Sequence, residues 1–462
     1  MKRRLFLLSC LGACAPTVSA LPTSAVHVES SDPVGGSAAL VMVSDPGTPS
    51  APVPYTSLPD TRSAPVYAEA DADHQALMAW RRGFIERAVA AGVSRATAER
   101  ETANLTVERD ALKYDGAQAE FTVPSGLYIA NNTGETTVRR AQTKAASLPW
   151  LSEIEQRYGV PGEVLVGLWR LESDLGENTG RYDAVNALAT LAALSTRTTP
   201  ERTQRRRADM EGYLIGALKG IDTGRLSRAG LQGSWAGAIG HMQFMPTHIL
   251  NLGVDADGDG RVDMKNSPKD ALFSAAVLLK RDGWRTGEGW HHEVILPANF
   301  DYDLVDAPGR TGREWEQLGV RRADGQPWSG PDAQASAVLI LPAGVAGPAY
   351  LALPNHFVIR KYNGSVGSPN YAMTVGIVAD RLRGKPGPSK PWPPESRFRI
   401  DEVAAAQRAL TAQGFDTRGA DGKIGPDTRA AVKAWQRSKG MVADGYLTSG
   451  LIAQITADQR GG

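Results

Sequence analysis

Residues 161–180 read PGEVLVGLWRLESDLGENTG, and this stretch decides how the chain folds. Its apolar residues recur at the i, i+3, i+4, i+7 spacing that places side chains on one face of a helix. These residues are Val164, Leu165, Leu168, Leu171 and Leu175. Pro161 suits the first helical position, and Gly176 suits a stop just beyond the last turn. The sequence therefore predicts a helix with one buried face.

Glu172 lies on this apolar face, four residues after Leu168 and seven after Leu165. Burial of an unpaired carboxylate raises its pKa, and a general acid that works near neutral pH needs a raised pKa. Glu172 is therefore the candidate catalytic residue. The alternative is a core glutamate that is satisfied by an arginine or by backbone donors.

The composition describes an ordinary globular protein and argues against one class of partner. The chain has 462 residues, of which 42% are hydrophobic and 22% charged, and its formal net charge is +1. A near-neutral chain without a block of Lys and Arg gives no support for nucleic acid as a partner. Binding to a neutral or zwitterionic polymer is compatible with this charge.

The N-terminus has the three parts of a secretory signal peptide over residues 1–20. A basic start precedes an apolar core of about ten residues and a small-x-small cleavage site that ends at Ala20. The only cysteines, Cys10 and Cys14, lie inside this segment, so the mature chain would have no disulfide. Alternatively, residues 11–14 resemble a lipoprotein box in which Cys14 is acylated and anchors the protein to a membrane. In both cases the protein works outside the cytoplasm.

The composition changes several times along the chain and predicts a series of segments. Pro, Ser, Ala and Val dominate the first segment without periodicity, which predicts a disordered tether. Helical spacing then prevails, except for short β-prone runs separated by Pro, Gly and Asp turns. A segment with five prolines predicts a semi-rigid linker ahead of a compact C-terminal module. The predicted boundaries are 21–70 for the tether, 71–383 for the main domain, about 285–355 for its β-rich insertion, 384–397 for the linker and 398–460 for the module.

The C-terminal module contains a weak internal repeat. Ala406-Gln407-Arg408 is followed by Asp421-Gly422, and Trp435-Gln436-Arg437 is followed by Asp444-Gly445. Each half is predicted to pair an amphipathic helix with an Asp-Gly turn.

A second cluster of interest is GSWAGAIGHMQFMP at residues 233–246. Its small residues allow close backbone approach, either between helices or to a ligand. Gln243 and Phe244 offer an amide and a ring, the pair expected to grip an acetamido sugar. A tight helix–helix contact would explain the glycines without any ligand.

The segment DADGDGRVD at residues 255–263 matches the start of a calcium-binding loop. Asp255, Asp257, Asp259 and Asp263 fall at ligand positions 1, 3, 5 and 9, with a glycine at position 6. Arg261 would add its backbone carbonyl at position 7. Asn266 replaces the usual glutamate at position 12, and the carboxylate of Asp270 could complete the ligand set instead. A plain acidic surface turn is the alternative. Neither a zinc motif nor a phosphate-binding loop occurs, and no organic cofactor is expected.

Several ordered blocks together resemble the membrane-bound lytic transglycosylase B family, which cleaves peptidoglycan between N-acetylmuramic acid and N-acetylglucosamine. The resemblance runs from Asp71 to Arg383. Its strongest blocks are Tyr158–Pro161 with Leu171–Ser173, Asn186–Leu191, Gly233–Ser234 with Gln243–Pro246, and Lys361–Ser365 with Tyr371–Met373. Separately, residues 398–460 resemble the type 1 peptidoglycan-binding domain.

The resemblance implies a mainly α fold with a small β-rich insertion (α+β), made of a lysozyme-like catalytic domain and a small helical wall-binding module. It implies that the chain binds peptidoglycan strands, with Glu172 as the sole acid/base and a structural Ca²⁺ in the catalytic domain. A periplasmic monomer is expected. Carried over by position, the residues implied to bind substrate are Ser234, Gln243, Phe244, Tyr362, Asn363, Tyr371, Arg206 and Arg207.

Most glycosidases need two carboxylates, but only one can be assigned here. Asp174 is two residues from Glu172 and should point away from its face of the helix. One carboxylate suffices if Glu172 protonates the leaving oxygen and then accepts the proton of the muramyl C6 hydroxyl, which closes a 1,6-anhydro ring. The alternatives are a hydrolase of the lysozyme or chitinase kind, in which water replaces that hydroxyl, and a non-catalytic wall-binding scaffold.

Overall fold

The computed structural model describes residues 64–115, 123–197, 199–364 and 369–458. The predicted signal peptide, with Cys10 and Cys14, lies outside these residues. The first described helix, α1, begins at Ala64, so the tether boundary predicted at residue 70 falls inside that helix. None of the helices described is long and apolar enough to cross a membrane.

The first part of the chain is helical, as its spacing predicts. Its helices are α1 (Ala64–Ala90), α2 (Arg95–Glu101), α3 (Arg109–Asp115), α4 (Ser125–Asn132), α5 (Glu135–Ala146), α6 (Leu151–Tyr158), α7 (Gly162–Ser173), α8 (Ala184–Leu194), α9 (Pro200–Asp222), α10 (Pro246–Leu252) and α11 (Pro268–Arg281). Strands β1 (Tyr182–Asp183) and β2 (Gln232–Gly233) form a short antiparallel pair within it. All of these helices except α4, together with two later helices, contribute to the largest apolar core of the described residues, and both α7 and α8 are almost wholly buried in it.

Helix α7 is the predicted helix, but its ends differ from the prediction. Pro161 is the N-cap, one position before the first helical residue. The predicted stop near Gly176 is wrong, because α7 ends at Ser173. Asp174 and Leu175 adopt left-handed backbone conformations, with φ of 52° and 61°. Leu175 is buried all the same, since the chain turns back onto the core there.

Close approach of α7 to α14 (Pro369–Leu382) determines where Glu172 lies. A Cβ on Gly167 would be 2.8 Å from the carbonyl oxygen of Val375, so a larger residue would push the two helices apart. Glu172 follows Gly167 by five residues, and Tyr371 precedes Val375 by four. The crossing therefore brings the end of α7 against the beginning of α14.

The predicted β-rich insertion is a five-stranded antiparallel sheet. Its strands are β3 (His291–Ile295), β4 (Arg310–Thr311), β5 (Arg321–Arg322), β6 (Ser336–Ile340) and β7 (Ala349–Ala352), in the order β4-β6-β7-β3-β5. Helix α12 (Gly312–Gln317) packs Trp315 into a second apolar core beneath the sheet. Helix α13 (Pro354–Tyr362) then leads back to the helical region through α14.

The C-terminal module is a three-helix unit with its own core, made of α15 (Ile400–Ala412), α16 (Pro426–Ser438) and α17 (Ser449–Asp458). The segment predicted as a semi-rigid linker makes contacts with earlier parts of the chain. The Ser389 hydroxyl and backbone N–H donate to Glu293 of β3, and Trp392 packs beside Ile129 and Tyr350. The module is therefore held against the rest of the chain.

Candidate active site

Glu172 occupies the last turn of α7, and its side chain is only 3% exposed. The Tyr371 hydroxyl donates a hydrogen bond to Glu172 Oε1. The carboxyl group is thus fixed in orientation by a neighbouring phenol.

Two buried tyrosines keep their protons beside this carboxyl group. Burial, together with the nearby charge of Glu172, raises the pKa of Tyr371 and of Tyr362 well above the ordinary value. The Tyr362 hydroxyl donates to the carbonyl oxygen of Met242 at 2.9 Å, and its ring lies 6.1 Å from that of Phe244. Tyr371 therefore keeps its proton near neutral pH and remains a donor to Glu172.

The loop from Gly233 to Pro246 brings Gln243 and Phe244 to the same region. Gln243 has a left-handed backbone, with φ of 48°, and its Nε2 donates to Gly240 O at 2.8 Å. Ser234 Oγ accepts from the Ala238 N–H at 3.2 Å and so closes the preceding turn. A Cβ on Gly240 would lie 1.9 Å from Met264 O, so the loop needs glycine there. The predicted glycines thus serve tight packing, while Ser234, Gln243 and Phe244 are buried in the loop that they shape.

His241 is a site residue that the sequence analysis missed. Its Nδ1 accepts from Trp169 Nε1 at 3.2 Å, and its carbonyl oxygen accepts from Ser173 Oγ at 2.6 Å. Its backbone N–H donates to Met264 O at 2.8 Å. His241 therefore joins the end of α7, next to Glu172, to the loop that follows Asp263. The only signal in the sequence was a histidine in the glycine-rich cluster.

His241 is neutral at working pH. Burial, with the charge of Lys144, lowers its pKa from 6.5 to about 4. A neutral ring is what the contact requires, because Nδ1 can accept the Trp169 N–H only while it carries no proton.

The depressed pKa of His241 makes the fold lose stability in acid. The unfolded chain takes up a proton on this ring near pH 6.5, whereas the folded chain does so only near pH 4. The free energy of unfolding should therefore fall between pH 6.5 and pH 4 by about 2 to 3 kcal/mol at most from this group. Urea unfolding at several pH values checks this against His241→Asn, whose amide oxygen can still accept from Trp169. If the free energy of unfolding depends on pH in the same way in the wild type and in the variant, His241 is not the group responsible.

The two arginines that were predicted to bind substrate, Arg206 and Arg207, instead contact other residues of the protein. Arg206 Nη2 donates to Asp115 Oδ1 at 2.7 Å, and Arg207 Nε donates to Ser195 O at 2.8 Å. Arg197 also pairs with Asp115, at 2.7 Å. Arg206 thus has a structural partner that the sequence did not indicate. Asn363 is the C-cap of α13, directly after Tyr362.

Asp174 is the C-cap of α7 and pairs with two arginines. Its carboxylate pairs with Arg140 at 3.1 Å and with Arg170 at 3.3 Å. This arrangement gives Asp174 a role in fixing the end of α7.

The predicted metal loop brings three carboxylates together. Oxygen atoms of Asp255, Asp257 and Asp259 lie within 4.8 Å of one another. Asp255 accepts from the N–H groups of Gly258 and Gly260, at 2.7 and 2.8 Å, which curls the loop around its first aspartate. A converging set of hard oxygen donors fits a calcium ion.

Asp263 and Asp270 are not part of that converging group of described carboxylates. Asp270 is fully buried, and its two oxygens accept from the N–H groups of Ala256 and Asp263, each at 2.9 Å. Asp263 accepts from the N–H of Lys265 at 3.0 Å and of Asn266 at 2.8 Å. Both residues brace the loop from within. For Arg261, the structure gives a backbone N–H that donates to Asp259 at 2.9 Å.

The chain is similar to known families and proteins over most of its length. Residues 76–380 match the transglycosylase SLT domain family, and residues 399–455 match a family of peptidoglycan binding domains. The crystal structure of SltB3 from Pseudomonas aeruginosa in complex with NAG-NAM-pentapeptide is 36% identical, with a TM-score of 0.74, and the match covers 82% of this chain and 99% of that one.

Two proteins of Escherichia coli are also similar. Membrane-bound lytic murein transglycosylase B is 32% identical over 225 residues, which are 49% of this chain and 58% of that relative. The lytic transglycosylase Slt35, solved in complex with calcium, is 25% identical with a TM-score of 0.54, over 66% of this chain and 92% of that one. The predicted fold class, mainly α with a small antiparallel sheet and a helical C-terminal module, is confirmed.

Proposed function

The chain belongs to the transglycosylase SLT domain family, and from that membership we propose that it is a lytic transglycosylase of peptidoglycan. The proposed reaction cleaves the β-1,4 bond between N-acetylmuramic acid and N-acetylglucosamine and leaves a 1,6-anhydro-muramyl end. The observation that carries the proposal is the buried carboxyl group of Glu172, held by Tyr371 in the last turn of α7.

The proposed mechanism uses Glu172 twice. In its protonated form it donates to the glycosidic oxygen as the C1–O bond of the muramyl residue breaks, and the substrate's acetamido oxygen stabilises C1. The resulting carboxylate then removes the proton of the C6 hydroxyl, whose oxygen bonds to C1 and closes the ring. No water is consumed, and Glu172 ends the cycle protonated. Tyr371 keeps the carboxyl oriented through both transfers.

We propose that polar and aromatic side chains of the loop after β2 and of the end of α13 bind the acetamido sugars. Ser234, Gln243, Phe244, Tyr362 and Asn363 come from two segments that Tyr362 joins through its bond to Met242 O. The predicted export and the Cys14 anchor lie outside the described residues, and a periplasmic site of action follows from the proposed substrate.

The experiment that tests the function is a product analysis. Purified sacculi are digested with the wild type and with Glu172→Gln, and the released fragments are weighed. The proposal expects anhydro products from the wild type and none from the variant. Products that carry a reducing end, heavier by one water, would establish hydrolysis instead.

We also propose that Asp255, Asp257 and Asp259 hold a structural Ca²⁺ with the carbonyl oxygen of Arg261. The convergence of their oxygens supports this, as does the bracing of the loop by Asp270. The loop continues to Met264, whose carbonyl oxygen accepts from His241, and His241 accepts in turn from Ser173. A bound ion would therefore stabilise the segment that supports the end of α7.

Calcium is expected to stabilise the folded chain. A ligand that binds only the native state at one hundred times its dissociation constant adds about 2.7 kcal/mol to the free energy of unfolding. Thermal unfolding with calcium and with a chelator should show a rise in Tm for the wild type and none for Asp257→Asn. Asp416→Asn, an exposed aspartate of the module, is the matched control and should respond like the wild type. A wild-type Tm that is the same with calcium and with the chelator would contradict the proposed calcium site.

A further inference from the structure

The two halves of the C-terminal module are built in the same way. In the first half, Gln407 Oε1 accepts from the Gly422 N–H at 2.8 Å, and its Nε2 donates to Asp421 Oδ1 at 3.3 Å. In the second half, Gln436 Oε1 accepts from the Gly445 N–H at 2.8 Å, and its Nε2 donates to Asp444 Oδ1 at 2.8 Å. One glutamine therefore binds each Asp-Gly turn to its helix, and the repeat in the sequence did not indicate these bonds.

The equivalence extends to the residues around each turn. A Cβ on Gly422 would lie 2.6 Å from the carbonyl oxygen of Ile400, and one on Gly445 would lie 3.0 Å from that of Arg429. Ile400 and Arg429 each precede their glutamine by seven residues. The next helix begins five residues after the aspartate in both halves. Position by position, Arg408 therefore corresponds to Arg437, Asp421 to Asp444 and Ile400 to Arg429.

The second turn is occupied by the β-rich insertion. Asp444 Oδ2 accepts from the backbone N–H of Val345 at 3.0 Å, and Arg437 forms an ion pair with Asp303. Lys433 adds a contact to Asp303 at 3.4 Å. The occupied turn thus shows what this arrangement recognises, which is a peptide N–H through the aspartate and a carboxylate through the arginine.

The first turn presents the same two groups to solvent. Arg408 and Asp421 are both exposed. Within the described part of the chain, no carboxylate pairs with Arg408 and no donor reaches Asp421 Oδ2. Ile400, which replaces Arg429 of the other face, is 61% exposed. This face combines an acceptor, a cation and a small apolar surface.

We propose that the face formed by Ile400, Arg408 and Asp421 binds the peptide part of peptidoglycan, with a peptide N–H donating to Asp421, a carboxylate on Arg408 and an alanine methyl group against Ile400. The equivalent face makes the first two of these contacts with Val345 and Asp303, and the exposed Ile400 adds the apolar surface that a methyl group needs. Stem peptides supply amide groups, free carboxylates and methyl groups together. The choice of a stem peptide as the ligand rests on the proposed function. The assignment of a peptide N–H to Asp421 and of a carboxylate to Arg408 rests on the repeat alone.

The test uses the full chain carrying Glu172→Gln, so that no substrate is cleaved. The probes are the free tripeptide L-Ala-γ-D-Glu-meso-diaminopimelate, which carries no sugar, and an oligomer of N-acetylglucosamine, which carries no peptide. Calorimetry gives the affinity, and the methyl resonance of Ile400 reports where the probe binds. The tripeptide should shift that resonance. Arg408→Ala and Asp421→Asn should each weaken its binding about tenfold, the usual effect of losing one charge-assisted hydrogen bond.

The repeat supplies the matched control, Arg437→Ala, which removes the same side chain from the occupied turn and should leave tripeptide affinity unchanged. Asp421→Asn retains the Oδ1 acceptor of the turn, so the module should remain folded. Equal affinities for wild type and both first-turn variants would overturn the proposal, as would an Ile400 shift with the sugar oligomer alone. An Ile400 shift that depends on protein concentration without probe would assign the face to a second copy of the chain and also overturn it. In each of these cases, the proposed enzymatic function would still be supported if the wild type released anhydro products from sacculi.

Discussion

Glu172→Gln is expected to lower the rate of sacculus lysis at least a thousandfold. The amide can neither donate a proton to the glycosidic oxygen nor accept one from the C6 hydroxyl, and acid–base help of this kind contributes about a hundred- to ten-thousandfold. With one residue proposed for both transfers, the loss should lie towards the upper end of that range. Release of soluble fragments from purified sacculi measures it.

The variant should fold normally, because Tyr371 can donate to the amide oxygen of glutamine as it does to Glu172 Oε1. Glu163→Gln is the matched control on the same helix. Glu163 lies in the first turn of α7, where it pairs with Arg383 at 3.4 Å, and its loss should leave lysis nearly unchanged. A Glu172→Gln protein that keeps a tenth of the activity would show that another group moves the proton.

Asp115→Ala is expected to lower the free energy of unfolding by about 3 to 5 kcal/mol. The Asp115 side chain is 4% exposed and pairs with Arg197 and Arg206, each at 2.7 Å, while Ser195 donates a further hydrogen bond. Burial alone would raise the pKa of Asp115, but these partners bring it below its ordinary value. Removing the carboxylate leaves two partly buried guanidinium groups without their counter-charge.

Urea unfolding measures this loss, and Glu86→Ala is the control. Glu86 also pairs with an arginine, Arg95 at 2.7 Å, but both side chains are exposed, so stability should barely change. Equal effects of the two substitutions would contradict a structural role for the Asp115 cluster. Arg206→Ala distinguishes the ion pair with Asp115 from the predicted substrate contact. A loss of stability would indicate the ion pair, and a loss of lysis without a loss of stability would indicate the substrate contact.

Local patterns in the sequence predicted the parts of the molecule that depend on neighbours along the chain. Apolar periodicity predicted α7 and the burial of Glu172, and oxygen spacing predicted the converging group of Asp255, Asp257 and Asp259. The repeat of Gln407 and Gln436 with their Asp-Gly turns was equally local, and the matching hydrogen bonds confirm it.

The features that the sequence did not predict depend on distant contacts or on unusual backbone. His241 meets Trp169 across 72 positions, and Asp115 meets Arg206 across 91, so no window of sequence contains either pair. The left-handed conformation of Asp174 ends α7 early, and helical periodicity carries no signal for it. Asp270 was predicted as a metal ligand by its spacing, whereas its burial beneath the loop depends on how α11 packs.

The substrate's own C6 hydroxyl is proposed to close the ring at C1, with Glu172 as the only side chain that carries the proton. Digestion of sacculi in water enriched in heavy oxygen, followed by mass spectrometry of the released fragments, tests this most directly. We expect fragments that lack one water and carry no heavy oxygen at the muramyl end. Fragments with a reducing end that contains heavy oxygen would contradict it.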